Sequence, residues 1–448
     1  MPTPARQTAF RILLRVETES SFAADLLHSE AVRDLPASEI ALSTELVLGT
    51  LRWQGTLDFL ARQFLRAPWA SLDPEVRVAL RMGLYQLRFL SRMPARAAVH
   101  ESVELVKQAR KRSAAALVNA VLRNAKDADL TSLRPPGMSE WEWGSIEHSH
   151  PAWLLERWSR QYGSEEARKL AHANNQPAPA TLRLNPRGRT LKELEQALPQ
   201  EGIETQPGRL LKHCRTLIRG DVMQPELYRR GEVAIQEEAS QIVPHLLDVQ
   251  EGQRVLDLCA APGNKTAQLA QWAGRSGWVV ACDIHLHRLR QLVPAGDFAN
   301  VRRVALDGRQ PLPFAIPFDR ILVDAPCSGT GTLRRNPEIK WRLSPSDIPA
   351  LHEKQLQLLD SATEALAAGG RIVYSTCSLE LEENQEVIDN FLNKHSNFRL
   401  LPLRADAERL EPWFHPSARR ILEGEFLQTS PAREETDGFF AAILVKSG

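Results

Sequence analysis

The chain has 448 residues, of which 43% are hydrophobic and 25% charged, enough for two to four domains with buried cores and inconsistent with a disordered chain. No apolar run reaches the roughly 18 residues of a membrane span, and the opening MPTPARQTAFRILLRVETES lacks a signal-peptide apolar block, so a cytoplasmic protein without a membrane partner is expected. The formal net charge of +1 is silent about nucleic acid, and charge distribution has to carry that question.

Residues 1–135 hold 19 Lys and Arg against 14 Asp and Glu, a local net of +5. This region reads as an all-helical domain. In AAVHESVELVKQARK, Val99, Val103 and Val106 recur at helical spacing; AAALVNAVLRNAK places Leu117, Val118, Val121 and Leu122 close together, and residues 51–65 and 78–90 add two amphipathic stretches. The tightest basic cluster is Lys107, Arg110, Lys111 and Arg112, either a solvated helix face or an RNA-facing patch. Residues 136–150 close a stretch from 129 that has two prolines, a glycine and no period, and are expected to form a linker. Residues 151–230 then read as a small α+β unit: two helical segments followed by a strand over 181–184.

From 231 to 448 strands and helices alternate. Strands are expected at 254–258, 277–282, 301–305, 320–323, 370–375 and 439–445, with helices such as 266–272 and 348–368 between them. Such alternation predicts a mainly parallel, doubly wound α/β sheet, whose ligands bind beyond the carboxyl ends of the strands. Asp257, Asp283 and Asp307 sit at three successive strand ends, as nucleoside binding requires. The first turn, DLCAAPGNKT, is neither GxGxxG nor a phosphate-binding GKS/T loop.

The five cysteines, Cys214, Cys259, Cys282, Cys327 and Cys377, form no CxxC pair, so neither a disulfide framework nor a zinc or other metal site is expected. Two of them end adjacent strands, in DAPCSGTG (Asp324 to Gly331) and STCS (Ser375 to Ser378). A thiolate that adds to carbon 6 of a cytosine converts the ring to an enamine and makes carbon 5 nucleophilic, while a carboxylate at N3 balances the developing charge. Arg334, Arg335, Lys340 and Arg342 follow, suited to phosphates or to a solvated loop.

Over nearly its whole length the chain resembles the bacterial 16S ribosomal RNA cytosine-C5 methyltransferases that carry an N-terminal NusB-like domain. The resemblance rests on DLCAAPG, DAPCSGTG, STCS, QEEAS (236–240), DGFF (437–440) and the helical AAVHESVELVK…LVNAVLRN. It implies a Rossmann-like class I methyltransferase domain that uses S-adenosylmethionine (SAM). Carried over by position, Cys377 is the nucleophile, Cys327 assists product release, and Asp324 binds the ring. The cofactor site comprises Cys259, Ala260, Ala261, Pro262, Gly263, Asn264, Lys265, Asp283, Arg288, Asp307 and Asp324. The resemblance also implies 16S ribosomal RNA as partner, before or during small-subunit assembly, and a monomer is expected. A transfer RNA substrate, a non-catalytic RNA-binding assembly factor and a DNA cytosine methyltransferase are the competing readings. Asn264 stands where the family usually has a second glycine, a position at which asparagine tolerates a left-handed backbone better than other residues. Leu306 and Leu381 replace a common glycine and a common proline.

Overall fold

The computed structural model describes residues 2–447 except 20, 30, 31, 33, 92, 224, 291 and 293–298. Contacts divide the chain into two units: Met1–Pro177 with Leu333–Leu343, and Ala178–Thr332 with Ser344–Gly448.

The first unit is helical throughout its described residues. Its principal helices are Pro4–Thr18, Ala37–Arg52, Gln54–Gln63, Pro74–Phe89, Ala95–Gln108 and Ala115–Ala125. Val99, Val106, Val118, Val121 and Leu122 are buried in one core with Leu46, Leu57, Leu80 and Met82, as the spacing predicts, whereas Val103 and Leu117 pack partly buried against it. The stretch expected to run from 51 to 65 is broken at Trp53, which lies between two helices. The span expected as a linker carries a helix, Glu140–Glu147. Its start is marked by a reciprocal cap in which Ser139 and Glu142 each accept from the other's backbone N–H. Two further helices, Ala152–Tyr162 and Ser164–Asn174, complete this unit.

Residues Leu333–Leu343 leave the alternating strand-and-helix region to join the helical unit, which corrects the expectation for their cations. Lys340, 1% exposed, donates to the Arg52 carbonyl at 2.9 Å and to Asn175 Oδ1 at 3.2 Å. Trp341 donates to the Leu51 carbonyl, Arg342 to the carbonyls of Val16 and Ser21, and Arg334 to that of Pro177. Arg52 returns two bonds to the Arg334 carbonyl. The reason is geometric. The last carbonyls of the helices ending at Thr18 and Arg52 have no partner further along their helices, and Lys340, Trp341 and Arg342 donate to them. Arg334, Lys340 and Arg342 are therefore spent on protein carbonyls rather than displayed in a solvated loop.

The second unit holds two sheets. A four-stranded antiparallel sheet has the order β2-β3-β1-β4, with β1 Thr181–Leu184, β2 Glu204–Pro207, β3 Cys214–Arg219 and β4 Val233–Ile235. Only β1 was legible in the sequence. The larger sheet has the order β10-β12-β9-β8-β5-β6-β7, built from β5 Arg254–Asp257, β6 Trp278–Asp283, β7 Val301–Ala305, β8 Phe318–Asp324, β9 Leu366–Thr376, β10 Phe398–Leu401 and β12 Phe440–Lys446; β11, Leu427–Gln428, pairs with β12. Strands β7, β6, β5, β8 and β9 are parallel, and β12 and β10 add an antiparallel edge. Both faces are covered, one core containing Val255, Val279 and Leu322 and the other Leu256, Ile321 and Ile372, all fully buried. The helix Asp347–Ala365 passes directly into β9, so the three residues expected to end that helix, 366–368, begin the strand.

Candidate active site

The parallel topology brings the carboxyl ends of β5, β6, β7, β8 and β9 to one rim. At the end of β5, Asp257 is buried and accepts from Thr266 Oγ1 at 2.7 Å, and burial pushes its carboxyl up to about 7. It ties the turn to the next helix and is a structural acid. The turn itself runs from Cys259 through Ala260, Ala261 and Pro262 to Gly263, whose φ of 106° lies in the left-handed region. A side chain on Gly263 would meet Leu292 at 2.4 Å. The left-handed position is thus Gly263; Asn264 is the first residue of the helix Asn264–Ala273 and needs no left-handed tolerance. Its amide lies 3.4 Å from the Ile235 carbonyl.

Lys265, the second residue of that helix, reaches across to β8. Its ammonium donates to Asp324 Oδ2 at 2.6 Å and lies 5.2 Å from the centre of the Phe439 ring. Burial opposes that charge, but the Asp324 carboxylate and its hydrogen bond more than offset it, and the Lys265 pKa is raised. The other oxygen of Asp324 accepts from Ser375 Oγ at 2.7 Å. The sequence assigned Lys265 only to the cofactor loop and did not single out Ser375 as a site residue. Their joint grip on Asp324 depends on the β8–β9 pairing, in which Asp324 lies opposite Ser375.

At the end of β6, Asp283 is buried and Oδ1 accepts from His285 N at 2.8 Å, leaving acceptor capacity on both oxygens. Arg288 stands between two parts of the predicted cofactor site, with Nη1 3.8 Å from Asp283 Oδ2 and Nη2 3.5 Å from the Ala261 carbonyl. After β7, Asp307 is taken up by Arg309, which bonds both carboxylate oxygens and holds its pKa below the usual carboxylate value. Free acceptors at Asp283, a turn pressed close by Gly263 and the first amides of a ten-residue helix fit a ligand with ribose hydroxyls and a carboxylate.

Cys327 Sγ lies 3.2 Å from Cys377 Sγ. The hydrogen bond to Cys377, burial and the nearby Glu383 carboxylate push the Cys327 thiol up. The two turns are laced together. Gly331 N donates to the Cys377 carbonyl and Gly438 N to the Gly331 carbonyl. A methyl group on Gly331 would meet the Gly438 oxygen at 2.1 Å, so the Asp437–Phe440 segment lies directly against the Cys327 turn. Asp437 N in turn donates to Glu237 of QEEAS. Burial and neighbouring acids raise Cys259 well above the usual thiol range, burial raises Cys214 likewise, and Cys282 is pushed to about 12; these three remain inert thiols.

Three family profiles match the chain: the 16S rRNA methyltransferase RsmB/F at residues 244–445, the NusB family at 3–127, and an RsmF/B-like ferredoxin-like domain at 150–221. The probable ribosomal RNA small subunit methyltransferase B of Bacillus subtilis is 35% identical over 100% of this chain and 99% of its own length. The chain belongs to the RsmB/F family of 16S rRNA methyltransferases. The ribosomal RNA small subunit methyltransferase B of Pseudomonas putida is also 35% identical, over 90% of each chain. Among solved structures, PH0851 superposes with a TM-score of 0.83 at 25% identity, covering 100% of this chain and 99% of that one. A methyltransferase homolog from Pyrococcus horikoshii gives 0.57 at 29% identity, covering 70% and 100%. The RsmB/F-type chain is accordingly a SAM-dependent rRNA methyltransferase with a NusB-type helical domain, a ferredoxin-like α+β unit and a Rossmann-like catalytic sheet.

Proposed function

We propose that this enzyme methylates carbon 5 of a cytosine in 16S ribosomal RNA and that Cys377 is its covalent nucleophile. The observation that carries the reading is the thiol pair 3.2 Å apart beside the Lys265–Asp324–Ser375 chain. By its position in STCS, Cys377 is the sulfur that attacks carbon 6 of the ring, with the Cys327 thiol beside it. Asp324, held at both oxygens, presents its carboxyl to N3 and the exocyclic amine without having to reorient as charge develops. Loss of the carbon 5 proton and expulsion of Cys377 then restore the aromatic ring, the release that the resemblance assigns to Cys327. SAM supplies the electrophilic methyl group. Asp283 and Arg288 would hold its ribose side, the Cys259–Lys265 turn its amino-acid end, and Asp307 its base, once Arg309 yields. The basic helical residues 1–135 are the proposed RNA-binding domain. Two of their clustered cations are already paired with acids, Lys107 with Glu104 and Lys111 with Asp73, and Lys107, Arg110 and Arg112 are exposed. Base extrusion from a stem costs a few kcal/mol, so an unpaired cytosine, reached before or during subunit assembly in the cytoplasm, is the expected target.

The decisive experiment incubates the protein with labelled SAM and small-subunit RNA from a strain lacking the enzyme, then maps 5-methylcytosine by bisulfite sequencing. One protected cytosine is expected, absent with Cys377→Ala. Cys327→Ala is expected to accumulate an enzyme–RNA adduct stable to denaturing electrophoresis; a Cys327 variant that turns over freely overturns the assignment. Label entering transfer RNA instead would change the substrate and leave the chemistry intact.

A further inference from the structure

Each active-site cysteine is followed by a serine, Ser328 and Ser378, and both serines are buried. Their hydroxyls lie 3.0 Å apart and converge on one carboxylate, that of Glu383, which is itself fully buried. Glu383 Oε2 accepts from both hydroxyls, at 2.6 Å in the case of Ser378. Oε1 accepts from the Ser328 backbone N–H at 2.8 Å and from Gln355 Nε2 at 2.9 Å. Gln355 also bonds the carbonyl of Pro326, the residue before Cys327. The backbone of Glu383 is fixed in turn, because its carbonyl accepts from Tyr374 OH at 2.6 Å on β9. All four donors to this carboxylate are neutral, so it is neither an ion-pair partner nor a charge exposed to solvent. A buried carboxylate is costly unless its hydrogen bonds are satisfied, and these four bonds all come from the two cysteine turns or from the residue bracing one of them.

We propose that Glu383 is a positioning residue that sets the separation of the two thiols by gripping the serine after each of them; the inference rests on the roles proposed above for Cys327 and Cys377. The carboxylate touches no reacting atom. It fixes one turn against the other, so that attack by Cys377 and release assisted by Cys327 occur on the same ring without movement of either turn.

The test compares Glu383→Gln and the double variant Ser328→Ala/Ser378→Ala with the parent protein. Single-turnover methyl transfer at saturating SAM and RNA is measured beside SAM affinity, RNA affinity and Tm. Misplacement of one thiol is expected to lower the transfer rate about 100-fold, while both affinities stay within about twofold because ground-state binding is untouched. Folded variants that transfer methyl at the parental rate overturn the proposal. So does a parallel loss of SAM affinity, Tm and rate in both variants, which would make Glu383 a support of the fold alone. Cys377→Ala is run beside them: if that variant stays active, the assignment of the nucleophile has failed and not the clamp.

Discussion

At the residue scale, the site is controlled by which charges are buried and what they face. Lys265 and Asp324 are neighbours only because a turn after β5 and the end of β8 meet, and the pair holds a carboxylate ready at the rim. Asp324→Asn should reduce methyl transfer far more than SAM binding, since the amide cannot carry the charge that steadies the ring; equal losses of both would assign Asp324 to cofactor binding. Asp257 offers a stability test. Burial raises its pKa to about 7, so the folded state favours the neutral acid. Its contribution is full below about pH 4, the unfolded value, and is lost as the pH rises through the folded one. Asp257→Asn removes this titration, and Tm measured from pH 4 to 8 should fall less steeply with rising pH than in the parent.

At the element scale, β strands deliver the reacting groups and short turns set their spacing. The Cys327 turn has no room at Gly331, where an added methyl would press on the Gly438 carbonyl. Gly331→Ala should therefore displace the turn and cost about 1–3 kcal/mol of stability by overpacking. It should also slow single-turnover transfer about 100-fold. An unchanged rate would show that the Asp437–Phe440 segment yields without cost. A second element-level effect belongs to the turn before β3 and the helix Glu238–Leu246, which bring the buried His213 and His245 within 3.4 Å at Nε2. Burial pushes His213 down to about 4 and His245 well below its usual value. Both are neutral in the fold and take up protons on unfolding below about pH 6.5, so their contribution is present above that pH and lost on acidification towards 4. His245→Phe should flatten the fall in Tm between pH 6.5 and 4.

At the scale of the whole molecule, the chain crosses between its two units three times, at Pro177, at Thr332 and at Leu343. Six residues after Cys327 it enters the helical unit, and its Lys340, Trp341 and Arg342 close the ends of two helices there. Removing residues 1–177 would strip every one of those carbonyl partners from Leu333–Leu343. Limited proteolysis should then cut the truncated chain within 333–343, a segment protected in the full-length protein. The truncated chain should also lose methyl transfer, and protection of that segment in both would show that it folds without the helical unit.

The sequence alone revealed the helical character of residues 1–128, the alternation of strands and helices from 231 onward, and the placement of Asp283, Asp324, Cys327 and Cys377 at strand ends, because periodicity and strand-end position are local properties of the chain. β2, β3, β4 and β10 escaped it, being short strands whose pairing depends on distant partners. The cap Ser139–Glu142 was legible as S-x-x-E but lay inside a segment read as a linker. Which groups meet depends on the packed fold. The register of β8 with β9 set Ser375 beside Asp324, the helix Asp347–Ala365 and the turn at 381–383 brought Gln355 and Glu383 to the cysteine turns, and the helical unit claimed cations that the sequence offered to phosphates. Composition and spacing name the reacting groups, but distances between them arise from packing of segments up to hundreds of residues apart, and no local pattern encodes those.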